Sequence, residues 1–160
     1  MVAQMREVAG NGPADELLAG LFGPSRRLYK RLAEFSYFQT RDIYQEIARQ
    51  PYPWLAACAE QLAGLCSTAL SRVVAPHEIL IDAPPVGLEV QFDVDVYFAK
   101  EDKYRKLAEV SPIVQSLAER QFDDFVKRVR IFAHPRIVDD LRQLENLPSL
   151  LSDAISRSGG

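Results

Sequence analysis

EVQFDVDVYF, residues 89–98, alternates acids and other polar residues with valine and phenylalanine, and its reading decides the fold. Successive side chains of a strand point to opposite faces, so Val90, Phe92, Val94, Val96 and Phe98 share one side and Glu89, Gln91, Asp93, Asp95 and Tyr97 the other. Such alternation predicts an antiparallel sheet with one covered face and one wet face. Asp93 and Asp95 then stand roughly 7 Å apart on the wet face, a separation at which two carboxylates can share a divalent ion. The same two acids are equally at home as the solvated side of a strand.

Outward from that stretch, the chain alternates helical and extended patterns. Residues 1–22 hold two short helical pieces parted by Gly10, Asn11 and Gly12 and closed by Gly23 and Pro24. SRRLYKRLAEFSYF (25–38) fits either period and is read as a strand ending at the cap of a helix. Thr40 is placed to cap RDIYQEIARQ, where Ile43, Tyr44 and Ile47 share a face before Pro51. The longest periodic segment runs from Pro53 to about Val74, with Trp54, Leu55, Cys58, Leu62, Leu65, Cys66, Ala69, Leu70 and Val73 recurring every three to four residues. HEILIDAP (77–84) reads as a short strand, and Pro84, Pro85 and Gly87 as a turn into the 89–98 strand. KEDKYRKLAEV (100–110) reads as a charged turn with a short strand. Ser111 and Pro112 start a helix, and VRIFAHP forms a final strand ended by Pro135. Two helical stretches, RIVDDLRQLEN and PSLLSDAIS, precede a frayed RSGG tail. The expected fold is α+β: helices packed on one face of a small antiparallel sheet, with peripheral helices at both termini. The expected divisions are a helical lead-in over 1–24, an α+β lobe over 25–136, and C-terminal helices with the tail over 137–160.

Composition narrows the function classes. At 160 residues, 48% hydrophobic and 26% charged, the chain is long enough to bury one continuous core. A net charge of -3 argues against general nucleic-acid binding, which depends on a basic surface that displaces counterions from phosphates. No apolar run reaches the roughly 20 residues of a membrane-spanning helix. MVAQMREVAG has no secretion-signal core, so a cytoplasmic protein is expected. Cys58 and Cys66 are eight residues apart on one helix, about 12 Å along its axis, and read as buried apolar side chains rather than a disulfide.

Candidate chemistry is sparse. His77 precedes a strand and His134 follows one, and neither belongs to a Ser-His-Asp set. Eight glycines leave no glycine-rich phosphate loop. A nucleotidyltransferase reading of Asp93 and Asp95 calls for a Gly-Ser turn and a helix ahead of the strand, whereas Leu88 follows Gly87 and prolines precede it. Positive charge gathers in three places: Arg26, Arg27, Lys30 and Arg31; Lys100, Lys103, Arg105 and Lys106; Lys127, Arg128 and Arg130. Read as a strand, the first group sends Arg26 and Lys30 to one face and Arg27, Tyr29 and Arg31 to the other. Guanidinium and ammonium groups drawn from separate segments are what a triphosphate requires.

RRLYKRLAEF, then EILIDAPP, then FDVDVYFAKEDKYRKLAEVSPIVQSLAERQFDDFVKRVRIFAHP resembles the C-terminal lobe of HD-domain phosphohydrolases related to the deoxynucleoside triphosphate triphosphohydrolases. The likeness covers about residues 22–136. It implies that catalysis belongs to a separate all-helical domain, whose His, His-Asp and Asp set holds a metal. Neither histidine here is followed by Asp, so the resemblance implies a chain without the catalytic centre, either a separate gene product or a fragment. It further implies an HD catalytic domain or a second copy as partner, and a GTP or dNTP effector held by Arg26 and Lys30 of the Arg-x-Leu-Tyr-Lys segment and by Lys100 after the aromatic strand. Asp82 matches a structural aspartate of that family. No metal, resident cofactor or catalytic residue is expected in the chain. The alternatives are a degenerate nucleotidyltransferase-like enzyme using Asp93 and Asp95, and a plain protein-interaction domain with an apolar surface patch.

Overall fold

A computed structural model describes residues 1–84, 94–113 and 127–159. The chain divides into two compact units, one of Met1–Ala33, Pro53–Asp82 and Arg130–Gly160, the other of Glu34–Tyr52 and Ala83–Val129. The fold is α+β, with a three-stranded and a two-stranded sheet.

The first unit opens with α1 (Val2–Ala9) and α2 (Pro13–Phe22). Gly10 adopts φ 59°, in the left-handed region open to glycine, and Pro13 starts α2 where its missing N–H costs nothing. α1 buries no residue and α2 only Gly20. The long helix α4 (Tyr52–Leu70) buries Leu55, Cys58, Ala59, Leu62, Ala63 and Cys66 along one stripe. Both cysteines are free, and their thiols are pushed up in pKa by burial, that of Cys66 to about 11. The Cys58 thiol shares a hydrogen bond with Ser158 of the terminal helix α7 (Leu147–Ser158), whose Leu151, Ala154 and Ile155 are buried.

The apolar periodicity of α4 runs on in sequence to Val73, but the helix stops at Leu70. Ser71 turns left-handed at φ 50°, and the Ser67 hydroxyl accepts the Val74 N–H at 2.9 Å. Val74 is thereby buried, while Ala69 is exposed and Val73 is 77% exposed, contrary to the periodic reading.

The three-stranded sheet has the order β1 (Lys30–Phe35), β5 (Val129–Ala133), β2 (Ile79–Asp82). β2 and β5 are antiparallel and pair Ile79 with Ala133 and Ile81 with Ile131, while Leu80–Phe132 and Asp82–Arg130 occupy the opposite face. Val129, Ile131 and Ala133 are buried, as their alternation predicts. β1 is shorter than the strand expected over 25–38. The Arg27 N–H donates to the Gly20 carbonyl at 2.9 Å, so the chain before Lys30 lies along the end of α2. A one-turn 3₁₀ helix, Pro76–Glu78, replaces the first residues of the strand expected over 77–84. The short helix α6 (Val138–Arg142) follows β5.

In the second unit, α3 (Arg41–Ile47) buries Tyr44 and Ile47. Thr40 sits at its N-cap without capping it: Thr40 Oγ1 accepts the Ser36 N–H at 3.1 Å and donates to the Ser36 carbonyl at 3.3 Å, tightening the turn before the helix. Tyr37 stands edge-on to Tyr44, with ring centroids 6.1 Å apart, and carries the Arg41 guanidinium 4.8 Å above its face. β3 (Asp95–Phe98) and β4 (Lys103–Lys106) form an antiparallel hairpin that runs into the short helix α5 (Leu107–Val110). Asp102 takes φ 48° in its turn, and the Tyr97 hydroxyl donates to the Asp102 carboxylate at 2.7 Å. Residues 89–93 and the body of the helix expected after Pro112 lie outside the described residues.

Candidate functional site

The question raised by EVQFDVDVYF is answered for its described half. Register places Asp95 directly opposite Lys106, and their side chains pair at 3.0 Å. Tyr97 and Tyr104 meet on the same face at 5.1 Å between centroids. Val96 and Phe98 turn to the other face, where the Arg105 guanidinium lies 5.3 Å from the Phe98 ring centroid. Asp95 is thus the wet side of a strand, matched by a cation on its neighbour. Asp93 lies outside the described residues.

The three candidate phosphate contacts fall on different elements. Arg26 lies in the segment before β1, Lys30 is the first residue of β1, and both belong to the first unit; Lys100 belongs to the turn between β3 and β4 in the second. All three are exposed, and none makes an ion pair among the described residues. Because the strand begins at Lys30, the alternation that set Arg26 beside Lys30 on one strand face does not apply to Arg26. Other members of the basic clusters are engaged. Lys103 and Arg105 both reach Glu101, Lys106 holds Asp95, and Arg130 stands 3.7 Å from Asp82. Glu101 sits below the ordinary carboxylate range because Lys103 hydrogen-bonds it, with Arg105 adding to that effect. Asp82 is exposed and makes this long ion pair across the β2–β5 ladder.

The most connected polar group of the first unit was not marked by any motif. Glu78, 2% exposed, lies just ahead of β2. Its carboxylate accepts both the Nε and Nη2 donors of Arg136 in a bidentate pair, and the Ala75 N–H at 2.9 Å. His134 Nδ1 lies 3.7 Å from Glu78 Oε1 and accepts the Arg136 N–H at 3.1 Å, which fixes the neutral ring with its proton on Nε2. The Tyr29 ring meets His134 edge-on at 5.5 Å, and its hydroxyl donates to the His77 carbonyl at 2.7 Å. His77 Nε2 is 3.2 Å from a Glu16 carboxylate oxygen. Arg72 adds a 2.6 Å bond to Asp140 and donates to the Arg136 carbonyl.

Burial and these contacts shift three titrations, lowering those of Glu78 and His134 and raising that of Tyr29. Burial works to raise the Glu78 carboxyl, but the Arg136 hydrogen bonds, the Ala75 N–H and the nearby positive charge outweigh it and hold Glu78 below the ordinary carboxylate range. Burial pushes His134 down, against the opposing pull of Glu78. Tyr29 is pushed up to about 12, chiefly by burial and then by Glu78 and Glu16, so its hydroxyl stays a donor. The arrangement staples residues 72–78 to residues 134–140 and leaves its acid, base and phenol all occupied. That is positioning work, and both histidines are consumed by it. A single acid preceding an apolar strand was the only available signal, since its partner Arg136 is 58 residues away.

Among the described residues, no group of three or more His, Cys, Asp or Glu side chains is gathered to hold a metal ion. No helix among them is long and apolar enough to cross a membrane. An open apolar groove of about 560 Å³ lies between α1 and α2, lined by Met5, Val8, Leu17 and Leu18 among others, with Val8 89% exposed.

No curated protein and no solved structure matches the chain. A family model described as "HD associated region" matches residues 2–146, nearly the whole length and therefore both units. The chain belongs to this family of HD-associated regions.

Proposed function

We propose that the chain is a non-catalytic regulatory or assembly lobe of an HD-domain nucleotide phosphohydrolase of the deoxynucleoside triphosphate triphosphohydrolase type. Membership in the HD-associated family over residues 2–146 carries this reading, because a region of that kind accompanies an HD domain. The internal pairing of Glu78, His134 and His77 supports it: these groups are spent on holding strand ends and loops together. The exposed apolar groove between α1 and α2 supports an assembly role, since contiguous apolar surface marks sites where proteins meet.

In this reading Arg26, Lys30 and Lys100 contribute contacts to the phosphates of an effector nucleotide, GTP or a dNTP. Each of these cations is exposed and makes no ion pair among the described residues, which leaves it open to a charge-assisted contact with a phosphate oxygen and supports that assignment. The test is thermal unfolding with and without GTP and dGTP. Binding to the folded state raises the melting temperature, and the Arg26→Ala, Lys30→Ala, Lys100→Ala triple variant should lose that rise while melting normally without nucleotide. A native chain whose melting curve ignores both nucleotides removes the effector assignment and leaves the assembly role.

A further inference from the structure

A second cleft, formed where α1 approaches the end of α2, is used by neither the Glu78 cluster nor the residues assigned to an effector. It is open to solvent, measures about 390 Å³, and is lined by Arg6, Asp15, Ala19, Gly23, Ser25 and Arg27, together with Pro24. Arg26, Lys30 and Lys100 are absent from its lining. We propose that this cleft is a binding site for a small phosphomonoester carrying a free hydroxyl, of the size of a pentose phosphate.

The walls depend on close backbone approach. The Arg27 N–H donates to the Gly20 carbonyl at 2.9 Å, and a Cβ on Gly20 would stand 3.3 Å from the Arg27 carbonyl oxygen. A Cβ on Gly23 would stand 2.3 Å from the Ala19 carbonyl oxygen, closer than any real contact. Glycine at these two places therefore lets residues 23–27 fold back on α2 and fixes the backbone of Arg27 at the rim. Arg6 comes to the same cleft from the last turn of α1.

The charges are not internally satisfied. Neither Arg6 nor Arg27 makes an ion pair among the described residues, although Asp15 lines the same cleft. Three arginines of this unit do reach acids, Arg72 taking Asp140, Arg136 Glu78 and Arg142 Asp139, whereas Arg6 and Arg27 form no ion pair with the Asp15 that shares their cleft. Two guanidinium groups from separate elements carry more positive charge than one carboxylate can neutralise. A phosphomonoester has three terminal oxygens and nearly two negative charges, and it can use both forks together with the Ser25 hydroxyl. Asp15, half-buried and acceptor-only, would repel the phosphate itself but accept a hydrogen bond from a hydroxyl beside it. The volume is at the lower end of small-molecule sites, which suits a ligand as small as a pentose phosphate.

Calorimetric titration of the chain with ribose 5-phosphate, inorganic phosphate and ribose tests the assignment. Ribose 5-phosphate should bind, phosphate should bind more weakly, and ribose should give no heat. Arg6→Ala and Arg27→Ala should each weaken ribose 5-phosphate by about tenfold or more, while Asp15→Asn should reduce it to the level of phosphate. Arg26→Ala should leave it unchanged, which separates this site from the effector contacts. Arg6→Lys and Arg27→Lys, which keep the charge but lose the fork, provide a second route should an alanine variant unfold by circular dichroism. They too should bind more weakly. Absence of heat with ribose 5-phosphate at millimolar concentration would overturn the proposal, as would equal affinity in folded Arg6 and Arg27 variants. Unchanged affinity in Asp15→Asn would overturn the hydroxyl requirement.

Discussion

The Glu78 cluster and the β3–β4 hairpin use the same chemical parts in opposite surroundings. Each has a carboxylate with more than one cationic or N–H partner, Glu78 with Arg136 and the Ala75 N–H, Glu101 with Lys103 and Arg105. Glu78 is 2% exposed, whereas the Glu101 side chain is 43% exposed. A buried carboxylate cannot fall back on water if a partner is lost; an exposed one can. The first arrangement therefore defines the junction of strand ends and loops, and the second decorates a turn that backbone pairing already closes. For function the lesson is that a polar cluster in this chain has to be judged by its burial and partners before it is offered as a site.

The largest expected effect is at Arg136. Arg136→Ala removes the bidentate partner of Glu78 and leaves a buried carboxylate unpaired, which costs about 3–5 kcal/mol. Urea unfolding measures it, and Arg136→Ala/Glu78→Gln should recover part of the loss because no charge is then stranded. A loss below 1 kcal/mol for Arg136→Ala would break the contrast between the two regions.

Acid should act on the same junction next. His134 has a folded pKa below its unfolded value near 6.5, so the unfolded chain takes up its proton first and stability falls as pH drops through and below 6.5. Glu78, also depressed, contributes stability that is present above the ordinary carboxylate range and is lost as pH falls through its lowered folded value. Melting temperature should accordingly decline in two stages on acidification. His134→Asn, which keeps an acceptor near the position of Nδ1 but does not titrate, should remove the first stage and spare the second.

The smallest effect belongs to the hairpin. Asp95→Ala breaks an exposed pair with Lys106 and should change stability by less than about 1 kcal/mol, and less still at high salt. A loss as large as that of Arg136→Ala would mean that Asp95 holds more than one lysine.

The contrast also marks what sequence alone could reach. Alternation in VRIFAHP and in the described half of EVQFDVDVYF, and the 3.6-residue stripe of α4 as far as Cys66, are local patterns, and the structure follows them. Three features depend on partners distant in sequence or on a single dihedral. β1 starts at Lys30 because Arg27 is held by Gly20, α4 stops because Ser71 turns left-handed where no glycine announces it, and Glu78 is paired across 58 residues. The wet-face reading of Asp95 was legible because its strand partner lies only eleven residues on; the staple around Glu78 was not, because a lone acid before ILI has many explanations. Family resemblance reached further than pattern, since residues 2–146 match the HD-associated region.

The central proposal is that this lobe acts through its surfaces and performs no hydrolysis by itself. The most direct measurement is release of phosphate or triphosphate from deoxynucleotides by the purified chain in the presence of manganese. The account predicts no turnover above the protein-free rate; turnover that disappears in Asp93→Ala or Asp95→Ala would contradict it.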